Sequence, residues 1–153
     1  MHRLFGRSNV QRCSLAVAAM KEGCPTALGA QMAQAQADFD AFAAPLCPQE
    51  LTAPRLHAVL THPALQPHIH GAKGVGSQGD GSAQLLCKSQ EDMRAVSEIL
   101  KGMGVTCMML TIPARRGVAS HGAGPACQTV QALQGTVVKG SVGERRTPAG
   151  SCS

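Results

Sequence analysis

At 153 residues the chain is long enough for one domain with a packed core and too short for two of ordinary size. It has no Trp or Tyr and only three Phe (Phe5, Phe39, Phe42), so aliphatic side chains, Met and Cys must build the core, and there are few stacking platforms for single-stranded nucleic acid. The net charge of +5 is concentrated late: residues 1–113 carry nine Lys/Arg against eight Asp/Glu and residues 114–153 five against one, which argues against an extended phosphate-tracking face and against nucleic acid as partner.

From Asn9 to Gly23, Val10, Cys13, Val17 and Met20 recur at spacings of three and four, which predicts one helical face. Ser8 or Asn9 can cap that helix and Gly23 can stop it. Leu28, Met32, Ala35, Phe39 and Phe42 mark a second amphipathic helix over residues 26–43, closed by Pro45 and Pro48. Both stripes read as core packing. Thr52 and Pro54 open a shorter helix with Leu56, Val59 and Leu60 inward. A glycine-rich loop over residues 71–82 leads to a short strand over 83–87. Ser89-Gln90-Glu91-Asp92 is a capping box with Asp in the Glu position, and its helix turns Met93, Val96, Ile99, Leu100 and Met103 inward. Residues 105–112, Val-Thr-Cys-Met-Met-Leu-Thr-Ile, predict a buried strand.

The expected fold class is therefore α+β, with helices packed on a small antiparallel sheet, over residues 1–113. After Pro113 the apolar periodicity stops, and residues 114–153 read as a basic, disordered tail rich in Gly, Ser, Pro and Ala.

Seven cysteines at wide spacings, with no C-x-x-C, do not form a metal or disulfide framework. Cys13, Cys87 and Cys107 fall at apolar-periodic positions and read as reduced core thiols, which suits a cytoplasmic protein. Residues 1–10 lack the apolar centre of a signal peptide, and no stretch has the length of a membrane span. No membrane partner is expected.

The loop carries the chemistry. Gly71-Ala72-Lys73-Gly74-Val75-Gly76-Ser77-Gln78-Gly79-Asp80-Gly81-Ser82 holds five glycines, a lysine and an aspartate. Such a backbone can approach a ligand closely, and its N–H groups can cradle anionic oxygens beside the lysine charge. Gly74 to Gly79 fits G-x-G-x-x-G, but Pro63 and Pro67 argue against a preceding buried strand and a strand follows where the dinucleotide motif needs a helix. No Gly-Lys-Ser/Thr closes a Walker loop. His68-Ile69-His70 would place two imidazoles on one side if extended, yet no carboxylate or cysteine lies nearby in sequence to complete a metal site. A tight hairpin turn with no ligand is the plain alternative for the whole loop.

This order of elements resembles the C-terminal domain of the GHMP small-molecule kinases (galacto-, homoserine, mevalonate and phosphomevalonate kinases). Gly71-Ala72-Lys73, Gly76-Ser77 and Gly81 match the third motif, G-A-K-x-T-G-A-G-x-G-G. Ala18-Ala19-Met20-Lys21-Glu22-Gly23 and Leu28-Gly29-Ala30-Gln31-Met32 are similar to the helix pair upstream of it. The likeness runs from residue 5 to 112 and is strongest to bacterial sugar-kinase-like members. Val75, Gln78 and Asp80 depart from the motif, as does Cys24 where Asp is common.

The resemblance implies a ferredoxin-like domain of a kinase that moves the γ-phosphoryl group of ATP, with Mg2+, to a hydroxyl of a small metabolite such as a sugar. It implies that Lys73, Gly74, Gly76, Ser77, Gln78 and Gly79 line the cleft floor, that Asp80 bonds the substrate or orients the neighbouring loop, and that Gly81 closes the phosphate loop. The family's first motif, its P-x-G-x-G-L-x-S-S phosphate loop and its catalytic and metal-binding acids belong to an N-terminal domain. No catalytic residue and no metal ligand is therefore assigned in this chain, and a complementary N-terminal kinase domain is the expected partner. The other reading is a stand-alone, non-catalytic module of the same fold that binds a metabolite or partner.

Overall fold

The computed structural model describes residues 6–76, 80–112 and 133–139. The chain opens with an antiparallel helix pair, α1 (Arg7–Lys21) and α2 (Pro25–Phe42), whose reversal uses Gly23 at φ 66°. Only a residue that tolerates the left-handed region turns the chain there, and the Cys24 N–H then reaches the Ala19 carbonyl at 2.8 Å. The α1 start differs from the sequence expectation. Gly6, not Ser8 or Asn9, is the cap residue, and no side chain caps the helix.

A 3-10 turn (Ala44–Leu46) and two short helices follow, α3 (Pro48–Leu51) and α4 (Pro54–Leu60). Each has proline in its first turn, where a missing N–H costs no helical bond. After a second 3-10 turn (Gln66–His68) come β1 (Ile69–Gly74), β2 (Ser82–Cys87), α5 (Gln90–Gly102), β3 (Thr106–Ile112) and β4 (Leu133–Lys139). The Ser89 hydroxyl caps α5, accepting from the Asp92 N–H at 3.0 Å as the capping box predicts.

The strands form one antiparallel sheet in the order β1-β2-β4-β3. β2 and β3 both run antiparallel to β4, so they are parallel to each other, with α5 as the crossover and one strand between them. That middle strand corrects the tail reading. Leu133–Lys139 falls within the stretch expected to be disordered, yet it pairs with β3 from end to end and with β2 from Gln134 to Lys139. The rest of the tail lies outside the described residues.

The core sits between the sheet and the α4–α5 layer. Ala83, Leu85 and Cys87 alternate onto one face of β2 and meet Leu56 and Val59 of α4 and Met93, Val96 and Leu100 of α5. Leu65, Leu85, Val96 and Leu100 are fully buried. The other helix layer approaches from β1. Gly29 of α2 and Gly71 of β1 touch backbone to backbone: a Cβ on Gly29 would lie 2.3 Å from the His70 carbonyl oxygen, and one on Gly71 would lie 2.2 Å from that of Gly29. These two glycines let a helix lie against an edge strand and cover it.

Two apolar stripes are placed differently from expectation. On α1, Val10 is 66% exposed, Val17 47% and Met20 49%, and Cys13 is also exposed, because the helix turns Ala19 inward and pairs Arg12 with Asp38 of α2. On β3, Met108, Met109 and Leu110 are exposed, since this is an edge strand and not a central one. Cys87 is buried and Cys107 half-buried, as core thiols should be; burial pushes the Cys107 thiol up from its ordinary pKa. Among the described residues no helix is long and apolar enough to cross a membrane.

Candidate functional site

The glycine-rich segment is the connection of a β-hairpin. Gly71 to Gly74 belong to β1, so the loop proper is residues 75–81, and the Val75 N–H closes it on the Ser82 carbonyl at 3.0 Å. A strand does precede the loop, despite Pro63 and Pro67, because those prolines fall in the turns before Ile69. What excludes a dinucleotide fold is the next element. β2 runs back antiparallel to β1, and among the described residues no helix opens at the loop to present its N-terminus to a pyrophosphate.

Both legs of the loop are braced. On the first leg, the buried Gly74 N–H faces the outer side of the β1 edge, away from β2. It donates to Gln36 Oε1 of α2 at 2.7 Å. Lys73, half-buried, donates from Nζ to the Gly74 carbonyl at 3.0 Å. On the second leg, Asp80 Oδ1 accepts from the Arg55 N–H at 2.9 Å and the Leu56 N–H at 3.0 Å. Asp80 is thus the cap of α4, supplied from across the fold. The residue in the cap position, Ala53, has no side chain able to serve. Thr52, expected as that cap, instead bonds back to the Pro48 carbonyl.

Between the legs, Gly76 is exposed at φ 71°, and a Cβ placed on it would meet nothing within 4 Å; Gly81 is equally open. Ser77, Gln78 and Gly79 lie outside the described residues. Beside the second leg is a hollow of about 40 Å³, bounded by Arg55, Leu56, Val59, Asp80, Ala83 and Val105. That volume suits a water molecule or two and no nucleotide.

Three residues that sequence reasoning missed complete the brace. Gln36 is buried, and while its oxygen holds Gly74 its Nε2 donates to Asp40 Oδ1 at 2.8 Å. Asp40 Oδ2 lies 3.1 Å from His57 Nε2, and His57 Nδ1 lies 2.9 Å from the Ala53 carbonyl oxygen. Ala53 is buried in the left-handed region at φ 39°, a conformation that costs alanine about 1 kcal/mol and aims its carbonyl at the ring. The Ala53 carbonyl bond, with help from Asp40 and against desolvation, raises the His57 pKa above 6.5. The i, i+4 spacing of Gln36 and Asp40 was the one sequence signal of this relay.

The histidine pair does not converge. His68 sits in the 3-10 turn, so the extended geometry that would align it with His70 is absent. His68 Nδ1 pairs with Asp92 Oδ1 at 2.7 Å, while His70 Nδ1 is 3.3 Å from the Thr26 hydroxyl. The bonds from Ser89 and His68 hold the Asp92 carboxyl below its usual range. Among the described residues no group of three His, Cys, Asp or Glu could hold a metal ion. Comparison with family models, with curated proteins and with solved structures finds no match to this chain.

Proposed function

We propose that the chain is the C-terminal part of an ATP-dependent small-molecule kinase, with a sugar as acceptor, and that it works only with a complementary N-terminal domain. The observation that carries this reading is the glycine loop itself. Its two legs are fixed by Gln36 and by the α4 N–H groups, while Gly76 between them stays open to solvent. Ends braced in that way hold Gly74 and Asp80 in place before a ligand arrives, which is what charge stabilisation in phosphoryl transfer requires of the groups that line a cleft. Lys73 at its root supplies a cation that is engaged, among the described residues, by a neutral carbonyl.

Two features support a partner domain. The hollow beside the loop is far too small for ATP, so a nucleotide site needs a second wall. The exposed stripe of α1 offers an apolar face on which that wall could rest. The ferredoxin-like assignment fits the split β2–α5–β3 unit, with β4 in the central slot. ATP and Mg2+ belong to this proposal, with their ligands mostly on the partner and the glycine loop of this chain completing the phosphate site. The second reading, a stand-alone binding module, is favoured by Asp80, whose Oδ1 already serves two backbone N–H groups of its own fold.

The test is reconstitution. The chain is mixed with a GHMP-type N-terminal domain carrying P-x-G-x-G-L-x-S-S, and ATP-dependent phosphorylation of a panel of sugars is followed. Turnover should appear only in the mixture. Gly76→Val should lower it at least tenfold, about 1.4 kcal/mol. Turnover that ignores this substitution removes the loop from the active cleft.

A further inference from the structure

His57 connects the two legs of the glycine loop, although it lies on neither. Through Nε2 it meets Asp40, whose other oxygen holds Gln36, which holds the Gly74 N–H of the first leg. Through its own helix it belongs to α4, whose first N–H groups hold Asp80 of the second leg. Its two ring nitrogens face two acceptors, the Ala53 carbonyl and the Asp40 carboxylate. An imidazolium donates to both. A neutral ring has one N–H and must present a lone pair to one of them.

We propose that His57 is a proton-operated clasp: protonated, it locks Asp40 and Gln36 onto Gly74 and holds the glycine loop; neutral, it releases Asp40 and loosens the first leg. The clasp is a property of the fold and does not depend on what the loop binds.

The surroundings single out Asp40 as the charge that matters. The groups facing the ring are Asp40 from α2 and the backbone carbonyls of Ala53 and Thr52. The loop's Asp80 is turned to the α4 N–H groups. Of the ionisable groups on β1, Lys73 is turned to the Gly74 carbonyl and His70 to Thr26. Cys87 lies at the last position of β2. Arg55, on the same helix, is exposed. The raised pKa of His57 sets the direction. The lock is complete below the ordinary value of 6.5 and is lost as pH rises through the folded value.

The experiment is a pH series of amide spectra on the full, isotope-labelled chain, read together with the His57 ring signals between about pH 5.5 and 8.5. The Gly74 amide should titrate with the same midpoint as the His57 ring, and its exchange protection should fall at least about fivefold across that midpoint. His57→Gln should abolish the Gly74 titration, and His68→Gln should leave it intact. A Gly74 amide that does not follow the His57 ring, or that follows His68 or His70, overturns the proposal. The unsubstituted chain alone decides this, so the result stands even if His57→Gln fails to fold.

Discussion

Two glycines and one aspartate carry much of the residue-level design. Gly29 and Gly71 leave no room for a methyl group, because the atoms an added Cβ would strike belong to backbone and cannot rotate away. Gly71→Ala should cost about 3 kcal/mol or more, near the upper end of the overpacking range, while Gly81→Ala, in open space, should cost well under about 1 kcal/mol. Urea denaturation of both variants checks the contrast, and equal midpoints would contradict the close-packing account. Asp80→Ala strips α4 of its only described side-chain cap and should cost about 1–2 kcal/mol by the same measurement. The glycine-rich segment is legible in the sequence as a site of close backbone approach. What it approaches is not. Gly71 meets a helix rather than a ligand, and Asp80 meets a helix start that lies far back in the chain.

At the scale of elements, helix periodicity locates α2, α4 and α5 to within a residue or two, and the Ser89 cap holds in detail. Periodicity reports that a stripe is apolar, not that something covers it, and so the Val10, Val17 and Met20 face reads as core although it is exposed. β3 misleads in the same way, since an edge strand rich in Met and Leu has the composition of a central one. β4 escapes notice because its apolar run, Thr136-Val137-Val138, is short and lies among glycine-rich sequence. Its central place makes it sensitive. Thr136→Pro, in a strand bonded on both sides, should cost about 3 kcal/mol, more than Thr111→Pro on the edge strand. Comparing their thermal midpoints tests the strand order directly, and a milder effect at Thr136 would count against it.

Asp40 of α2 and His57 of α4 tie the two helices together at 3.1 Å. His57 has a folded pKa above 6.5, so its contribution to stability is fully present below pH 6.5 and is lost as pH rises through the folded value. Stability should therefore decline as pH rises through the folded value, and the decline should be smaller in Asp40→Asn, which keeps the Ala53 carbonyl bond and loses the carboxylate. Denaturant titrations of both proteins at about pH 6 and about pH 8.5 check the sign.

For the whole molecule, the arrangement is a four-stranded sheet with α4 and α5 on one face and α2 along the β1 edge, from which a doubly braced loop projects. The α+β class can be read from the order of elements, because helical stripes give way to a strand, a helix and a strand over residues 83–112, although β1 lies in a segment whose glycines read as loop. The candidate site is half legible. The loop's composition announces it, but the relay of Gln36, Asp40 and His57 joins residues from two helices to a strand end, and no local pattern encodes such a meeting. Phosphate binding by this loop is the claim on which the functional account stands. The direct measurement is a titration of the full, isotope-labelled chain, mixed with the complementary N-terminal kinase domain, with inorganic phosphate and then with a sugar phosphate, followed at each backbone amide of the labelled chain. Saturable shifts should centre on Lys73, Gly74, Gly76 and Gly81 and should be lost in Gly76→Val. Shifts absent from the loop, or scattered over the basic residues and erased by moderate salt, would contradict it and leave the loop a hairpin turn with no ligand.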